Sequence, residues 1–454
     1  MSRKLIAFVL VGVLCVGAGI GIWLAVRVPR DMQLRFLNWG QFIDESLIDD
    51  FETWYRQQPG IHRRFRVDIA YYTSNDGLYN MITTGGRQVD LIVPSDYMLE
   101  RLIRENRVQP LDMSLLPSIT RSVEGGGYEF DPEIIDPAIT GPVTGSTFRR
   151  YGDPANVVYG IPYMYGTMGI LYDTRVVDIE LLERYGWALL WANDPEITPS
   201  LTPAQRTQIG QVSMKDIGRE NHAVAQFARL RADLLEVEGQ ERLDMINERV
   251  FTVTNQADID VARDFLLRQP ANTRYEPTGD DRMSDIFEGN ATQAIGSEWS
   301  VNAVWAMKVG EESRFFEYFI PEEGTNLWIN TMAIPRNANS ASVAHAHAFI
   351  NFINNRNHQG RDIPAQNMQA IGGTSPIISS QLAVFEYFYN ESTMFDARPE
   401  QRESLLEAWF PGVRMGNDGP VTNTAITGRS GTMRSFSTEL DDAISAMMLD
   451  ISTR

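Results

Sequence analysis

Asp216 and Glu220 stand four residues apart in Met214-Lys215-Asp216-Ile217-Gly218-Arg219-Glu220, a spacing that puts both on one face if a helix begins early. Three chemistries fit such a pair. It can work as general acid and base, or it can clamp an ammonium group, for which carboxylates are the natural partners. It can also simply open a helix, with Asp216 as the cap and Glu220 in the first turn, where the helix dipole favours an acid. Taken alone, the pair favours the helix start.

Nothing else in the chain points to covalent chemistry. G-x-S-x-G, H-E-x-x-H and phosphate-loop patterns are absent, and Cys15 is the single cysteine, so no intrachain disulfide or cysteine metal site can form. His345 and His347 are the closest of the five histidines, but a spacing of two on a helix points them to different faces. They read as structural. No metal, no cofactor and no enzymatic activity are expected.

The elements that would position a site alternate between two periods. Gln33 to Trp39 alternates as a strand, Glu45 to Gln57 carries Leu47, Ile48, Phe51, Trp54 and Tyr55 at helical spacing, and Asp44 can cap that helix. Phe65 to Tyr72 reads as a second strand, Leu78 to Thr84 as a helix, and Asp90 to Pro94 as a short apolar strand suited to a covered parallel sheet. This order predicts an α/β domain whose ligands sit beyond the carboxyl ends of its strands. Glu124 to Ala155, rich in Gly and Pro, reads as a surface excursion with no chemistry. Val158 to Tyr172 is apolar, aromatic and Gly-punctuated, as expected where a chain crosses between domains. Arg219 to Leu235, Gln256 to Leu267 and Val343 to Asn354 read as helices, and Leu327 to Ile334 as a buried strand.

At 454 residues the chain is long enough for two or three domains with sizeable cores. Its 40 basic against 59 acidic residues leave a net charge of −19, which disfavours nucleic acid and suits cationic solutes or plain solubility. Leu5 to Val26 carries no charge and follows Arg3 and Lys4, a length suited to one spanning helix, so an uncleaved membrane anchor is expected, with a cleaved signal as the alternative. The remainder would lie on the extracytoplasmic face, anchored to the cytoplasmic membrane.

Asn38-Trp39-Gly40-Gln41-Phe42, followed by Val93-Pro94-Ser95-Asp96-Tyr97, resembles the periplasmic spermidine/putrescine-binding proteins of ABC importers. Ile161-Pro162-Tyr163 with Gly166, and Trp328-Ile329-Asn330-Thr331-Met332 after Pro321-Glu322-Glu323-Gly324, resemble the segments joining that family's two lobes. The likeness runs from Gln33 to about Pro376, with insertions near 120–155 and 190–210. It implies a two-lobed periplasmic-binding-protein fold of type II, each lobe a mostly parallel sheet flanked by helices, with two crossover segments. The implied division is a segment 1–30, a first lobe of 31–163 plus 328–385, and a second of 164–327 plus 386–454.

The resemblance implies a ligand site of Trp39, Gln41, Phe42, Ser95, Tyr97, Asp216, Glu220, Trp299, Trp328 and Asn330. Flat rings would line the methylene chain of a polyamine and carboxylates would hold its ammonium ends. Two positions depart from the family: Gln41 stands where a glutamate can occur, and Asn330 where an aspartate holds an amine. Gly373 also stands in place of a tyrosine. The lost charge requires compensation by Asp96, Asp216, Glu220 or Glu298, or a less cationic ligand. The implied function is capture of a putrescine- or spermidine-like solute by a monomer that delivers it to an ABC permease. The alternatives are a receptor for another amine-bearing solute (an amino acid, an aminophosphonate or an opine-like compound) and a membrane-anchored ligand sensor. Trp328→Ala is expected to weaken binding more than folding.

Overall fold

The protein is described by a computed structural model covering residues 28–40, 42–61, 64–84, 88–145, 148–276, 280–310, 312–390, 399–417, 419–422 and 427–453. The expected anchor, Leu5 to Val26, and Gln41 lie outside the described residues. Among the described residues no helix is long and apolar enough to cross a membrane.

Three parallel strands open the fold: Gln33–Trp39 at the centre, Arg66–Tyr72 on one side and Leu91–Ile92 on the other. The helices between them, Ser46–Tyr55 and Asn75–Thr83, follow the expected periods. The helix Ser46–Tyr55 buries Leu47, Ile48, Phe51 and Tyr55, the apolar stripe that its 3.6-residue period lines up. Glu45, not Asp44, holds the cap position and its side chain bonds no helix amide; Asp44, one residue earlier, accepts from the Ser46 amide through Oδ1 at 3.0 Å.

The aromatic segment after Val158 becomes one strand, Ile161–Asp173, buried along its whole length. Its first half pairs with a second long strand, Thr325–Met332, and its second half lies between Ile295–Trp299 and Phe316–Phe319. Beyond Ile295–Trp299 come Val212–Lys215 and Arg274–Glu276, all three parallel. Bridges from Ile92 to Ala333 and from Ser95 to Asn330 join the second long strand to the first sheet. Two crossover strands therefore tie a sheet that is parallel in its body to another of the same kind. This is the two-lobed α/β arrangement expected of the type II periplasmic binding fold.

Apolar side chains cover both faces of each sheet. Phe36, Phe51, Met332 and Phe349 belong to one core of the first lobe, and Leu99, Leu102 and Ile329 to another. In the second lobe Trp187, Trp191, Val224 and Ile295 fill one face, and Leu171, Ala303, Phe316 and Trp409 the other.

The stretch near 120–155 is more built than expected. A short hairpin pairs Thr120–Ser122 with Tyr128–Phe130, and the helix Pro137–Thr144 follows, with Ile135, Ile139, Val143 and Phe148 buried. Both histidines are bonded inside. His345 meets the Tyr55 hydroxyl at 2.9 Å, and His347 Nε2 accepts from the Asp112 amide at 2.9 Å.

Candidate functional site

A strand end, the loop after it and the middle of a crossover strand bring the ring-bearing residues to one region. Trp39 ends the central strand of the first sheet, its indole N–H donating to the Val93 carbonyl at 2.9 Å. Its ring lies 4.7 Å from Tyr72 and 6.2 Å from Phe42, and Phe42 stacks on Trp328 at 6.2 Å with planes 23° apart. Trp328 lies flat on the first crossover strand because Gly166 has no side chain; a Cβ there would come within 2.3 Å of the indole. Trp39, Phe42 and Trp328 thus form one continuous wall.

Trp328 is only 9% exposed and its indole N–H donates to the Thr167 carbonyl at 3.0 Å. Trp328→Ala is therefore expected to lower the melting temperature as well as the affinity, which corrects the expectation of a mainly binding effect: the ring is core packing too. Calorimetric melting with and without ligand checks it, and an unchanged melting temperature would contradict this placement.

A polar row continues the wall. Ser95 and Asn330 face each other across the bridge, with the Ser95 hydroxyl donating to Asn330 Oδ1 at 2.8 Å. Asn75 Nδ2 donates to both Ser95 Oγ (3.0 Å) and the Tyr97 hydroxyl (2.9 Å). Asn75 was not read from the sequence; its only signal is its place at the start of a helix following a strand end.

The second lobe contributes the charges. The helix Gly218–Glu236 starts with Ile217 as its cap, so Asp216 does not cap it and stands exposed, while Glu220 falls in the first turn and is buried. Glu220 Oε1 accepts from the Trp299 indole at 2.8 Å, and Oε2 has no partner among the described residues. Burial pushes this carboxyl up to about 7, opposed by the Trp299 hydrogen bond and the Lys215 charge. The expected sharing of a face by Asp216 and Glu220 is not observed.

Lys215 is the largest departure from the sequence reading. Its ammonium forms an ion pair with Glu298, both side chains being almost fully buried, and sits 5.1 Å from the Trp299 ring. Glu298, one of the acids that could have replaced the missing charge, is thereby neutralised. Asp96 is buried as well, and desolvation raises it to about 8 against the opposing Tyr97 amide and Arg219 charge.

The lobes touch across this region. The Arg219 guanidinium lies between the rings of Tyr97 (4.3 Å) and Phe436 (4.0 Å), and it bonds Asp441 at 2.5 Å. Arg434 grips Glu100 through two bonds of 2.8 and 3.1 Å, the Ser435 amide adds a third at 2.9 Å, and Arg104 reaches the Phe436 carbonyl at 3.2 Å. Tyr97 and Trp299 each pack against cores on both sides. Two surface depressions, at Leu266 to Thr273 and at Asn193 to Glu196 with Arg268, share no residue with this set. Among the described residues no cluster of three or more metal-binding side chains occurs.

Residues 47–361 match the bacterial extracellular solute-binding protein family. The chain belongs to this family. This solute-binding protein is 24% identical over 395 residues to the Spermidine/putrescine-binding periplasmic protein of Escherichia coli strain K12, covering 87% of this chain and 89% of that one. It is 25% identical over 346 residues to the Putrescine-binding periplasmic protein PotF of the same organism, covering 75% and 78%. Its fold matches the spermidine/putrescine ABC transporter substrate-binding protein PotD from Streptococcus pneumoniae with a TM-score of 0.59, 22% identity and coverage of 93% and 98%. The resemblance drawn from the motifs thus extends over most of the solute-binding protein.

Proposed function

We propose that this chain is the extracytoplasmic solute-binding subunit of an ABC importer, closing on a polyamine or a similar small cationic amine and passing it unchanged to a permease. The observation that carries this reading is the buried Glu220 carboxylate, which is bonded to Trp299 and has one oxygen without a partner among the described residues. A buried acid of that kind gains most from a cation. The adjoining wall of Trp39, Phe42 and Trp328 suits a methylene chain and adds cation–π attraction of about 0.5–2 kcal/mol per well-placed ring. The names of the relatives point to the same ligand class.

In this reading residues 31–163 with 328–385 form the first lobe, residues 164–327 with 386–454 the second, and the N-terminal segment holds a monomer at the membrane. Trp39, Phe42, Ser95, Tyr97, Asn330, Trp328, Glu220 and Trp299 line the site in this reading, and Gln41 lies outside the described residues. Asp216, being exposed, assists from its rim. Closure is a shift toward the form in which both lobes contact the solute.

Isothermal titration with putrescine, spermidine and spermine, alongside several amino acids, tests it. Saturable one-to-one binding of at least one amine is expected, with affinity falling as pH drops below about 7, because Glu220 then takes up a proton that an ammonium ligand must displace. If no amine bound saturably, the proposal would be wrong.

A further inference from the structure

Arg219 and Glu220 are consecutive in the first turn of the helix Gly218–Glu236, and their side chains diverge there. Glu220 turns to the Trp299 indole, while Arg219, its side chain 11% exposed, runs to the contact between the lobes. The guanidinium spends donors inside the second lobe: Nη2 donates to Asp441 Oδ1 at 2.5 Å and Nη1 to the Arg434 carbonyl. Two bonds to fixed acceptors set the plane of the group, and a flat cation held in a set plane can stack on rings. It sits over two of them, Phe436 of a second-lobe core at 4.0 Å and Tyr97 of the first lobe at 4.3 Å.

The bond to the Arg434 carbonyl has its own consequence. Arg434 is the residue whose guanidinium donates to Glu100 at 2.8 and 3.1 Å, and the next amide, that of Ser435, donates to the same carboxylate at 2.9 Å. Arg219 therefore fixes the backbone that sets Arg434 and Ser435 against the helix Asp96–Arg104, whose first turn carries Tyr97. The Tyr97 hydroxyl accepts from Asn75 at 2.9 Å, Asn75 also donates to Ser95, and Ser95 donates to Asn330. Contacts at bonding or stacking distance thus run from Arg219, beside Glu220 in the chain, to the polar row of the first lobe.

Resting on the amine-binding reading above, we propose that Arg219 is a positioning residue: it touches no solute, and it holds Tyr97 and the segment Arg434–Phe436 in the placement that keeps the two lobes together on a bound amine. Such a residue governs escape. An amine enters the open clamp whether or not Arg219 is present, and leaves only when the contact through Arg219 parts.

Stopped-flow tryptophan fluorescence of the full chain at pH 8, with putrescine and with spermidine, tests it. Arg219→Met keeps an apolar stem and removes the cation and its donors; it is expected to release amine at least about tenfold faster, with association changed less than about twofold. Glu100→Gln is expected to speed release as well, and the double variant to fall well short of the product of the two single effects, because both substitutions break one contact. Phe436→Leu removes a ring beneath the guanidinium and leaves its two bonds; it is expected to act in the same direction and carries the test should Arg219→Met fail to fold. Unchanged release in these variants, an effect confined to association, or a double variant that multiplies the single effects would overturn the inference and leave the amine reading intact. No saturable binding of either amine by the unsubstituted chain would overturn both.

Discussion

Glu220→Gln is expected to bind amine roughly 150- to 4000-fold more weakly at pH 8, because removing one partner of a buried charge pair costs about 3–5 kcal/mol. The same chain is expected to melt a few degrees higher without ligand. The folded carboxyl titrates near 7 instead of 4.5 because burial penalises its charge. Below about 4.5 it is protonated in both the folded and unfolded states and costs nothing. Between about 4.5 and 7 the unfolded chain ionises while the folded carboxyl stays protonated, so stability falls across that window and the loss, up to about 3 kcal/mol, is complete above about pH 7. Glutamine removes that loss and can still accept from the Trp299 indole. Calorimetry at pH 4 and pH 8 should therefore find the gain almost wholly at the higher pH. An unchanged affinity would take Glu220 out of the site.

The second large effect concerns Lys215, whose removal strands a buried acid. Lys215→Met is expected to lower unfolding free energy by about 3–5 kcal/mol at pH 8, since Glu298 is left without its cation in a site of zero exposure. Adding Glu298→Gln should restore most of that loss, because removing both charges is far less costly than removing one. Urea unfolding of the single and double variants measures it. A double variant no more stable than the single one would show that the pair is not the source of the effect.

What the sequence revealed and what it hid differ in a physical way. Trp39 was legible at the end of a strand whose period marks it, Trp328 from the buried strand it belongs to, although it lies in the middle of that strand and not at its end, and Trp299 only through the family resemblance. The crossover Ile161–Asp173 was legible from its unbroken apolar and aromatic run. Asp216 was misread because helix onset depends on Ile217 and Gly218 at single-residue precision, and one step decides whether a side chain turns inward. The Lys215–Glu298 pair is a matter of register. Setting Val212 beside Ile295 in neighbouring parallel strands carries Lys215 level with Glu298, a relation that exists only once the strand order is known. The direction of the Asn75, Ser95 and Asn330 row was likewise invisible, since it joins three segments far apart in the chain. The stretch near 120–155 hid its hairpin and helix behind a Gly- and Pro-rich composition.

The grip of Arg434 and Ser435 on Glu100, with Arg104 on the Phe436 carbonyl, joins the lobes through groups that belong wholly to the chain. In the closure proposed above, these contacts would do part of the work of shutting without the solute, and a ligand would supply only the difference between the two shapes. Weakening that tether would make capture more strictly dependent on solute concentration and would lower apparent affinity while every ligand contact stayed intact.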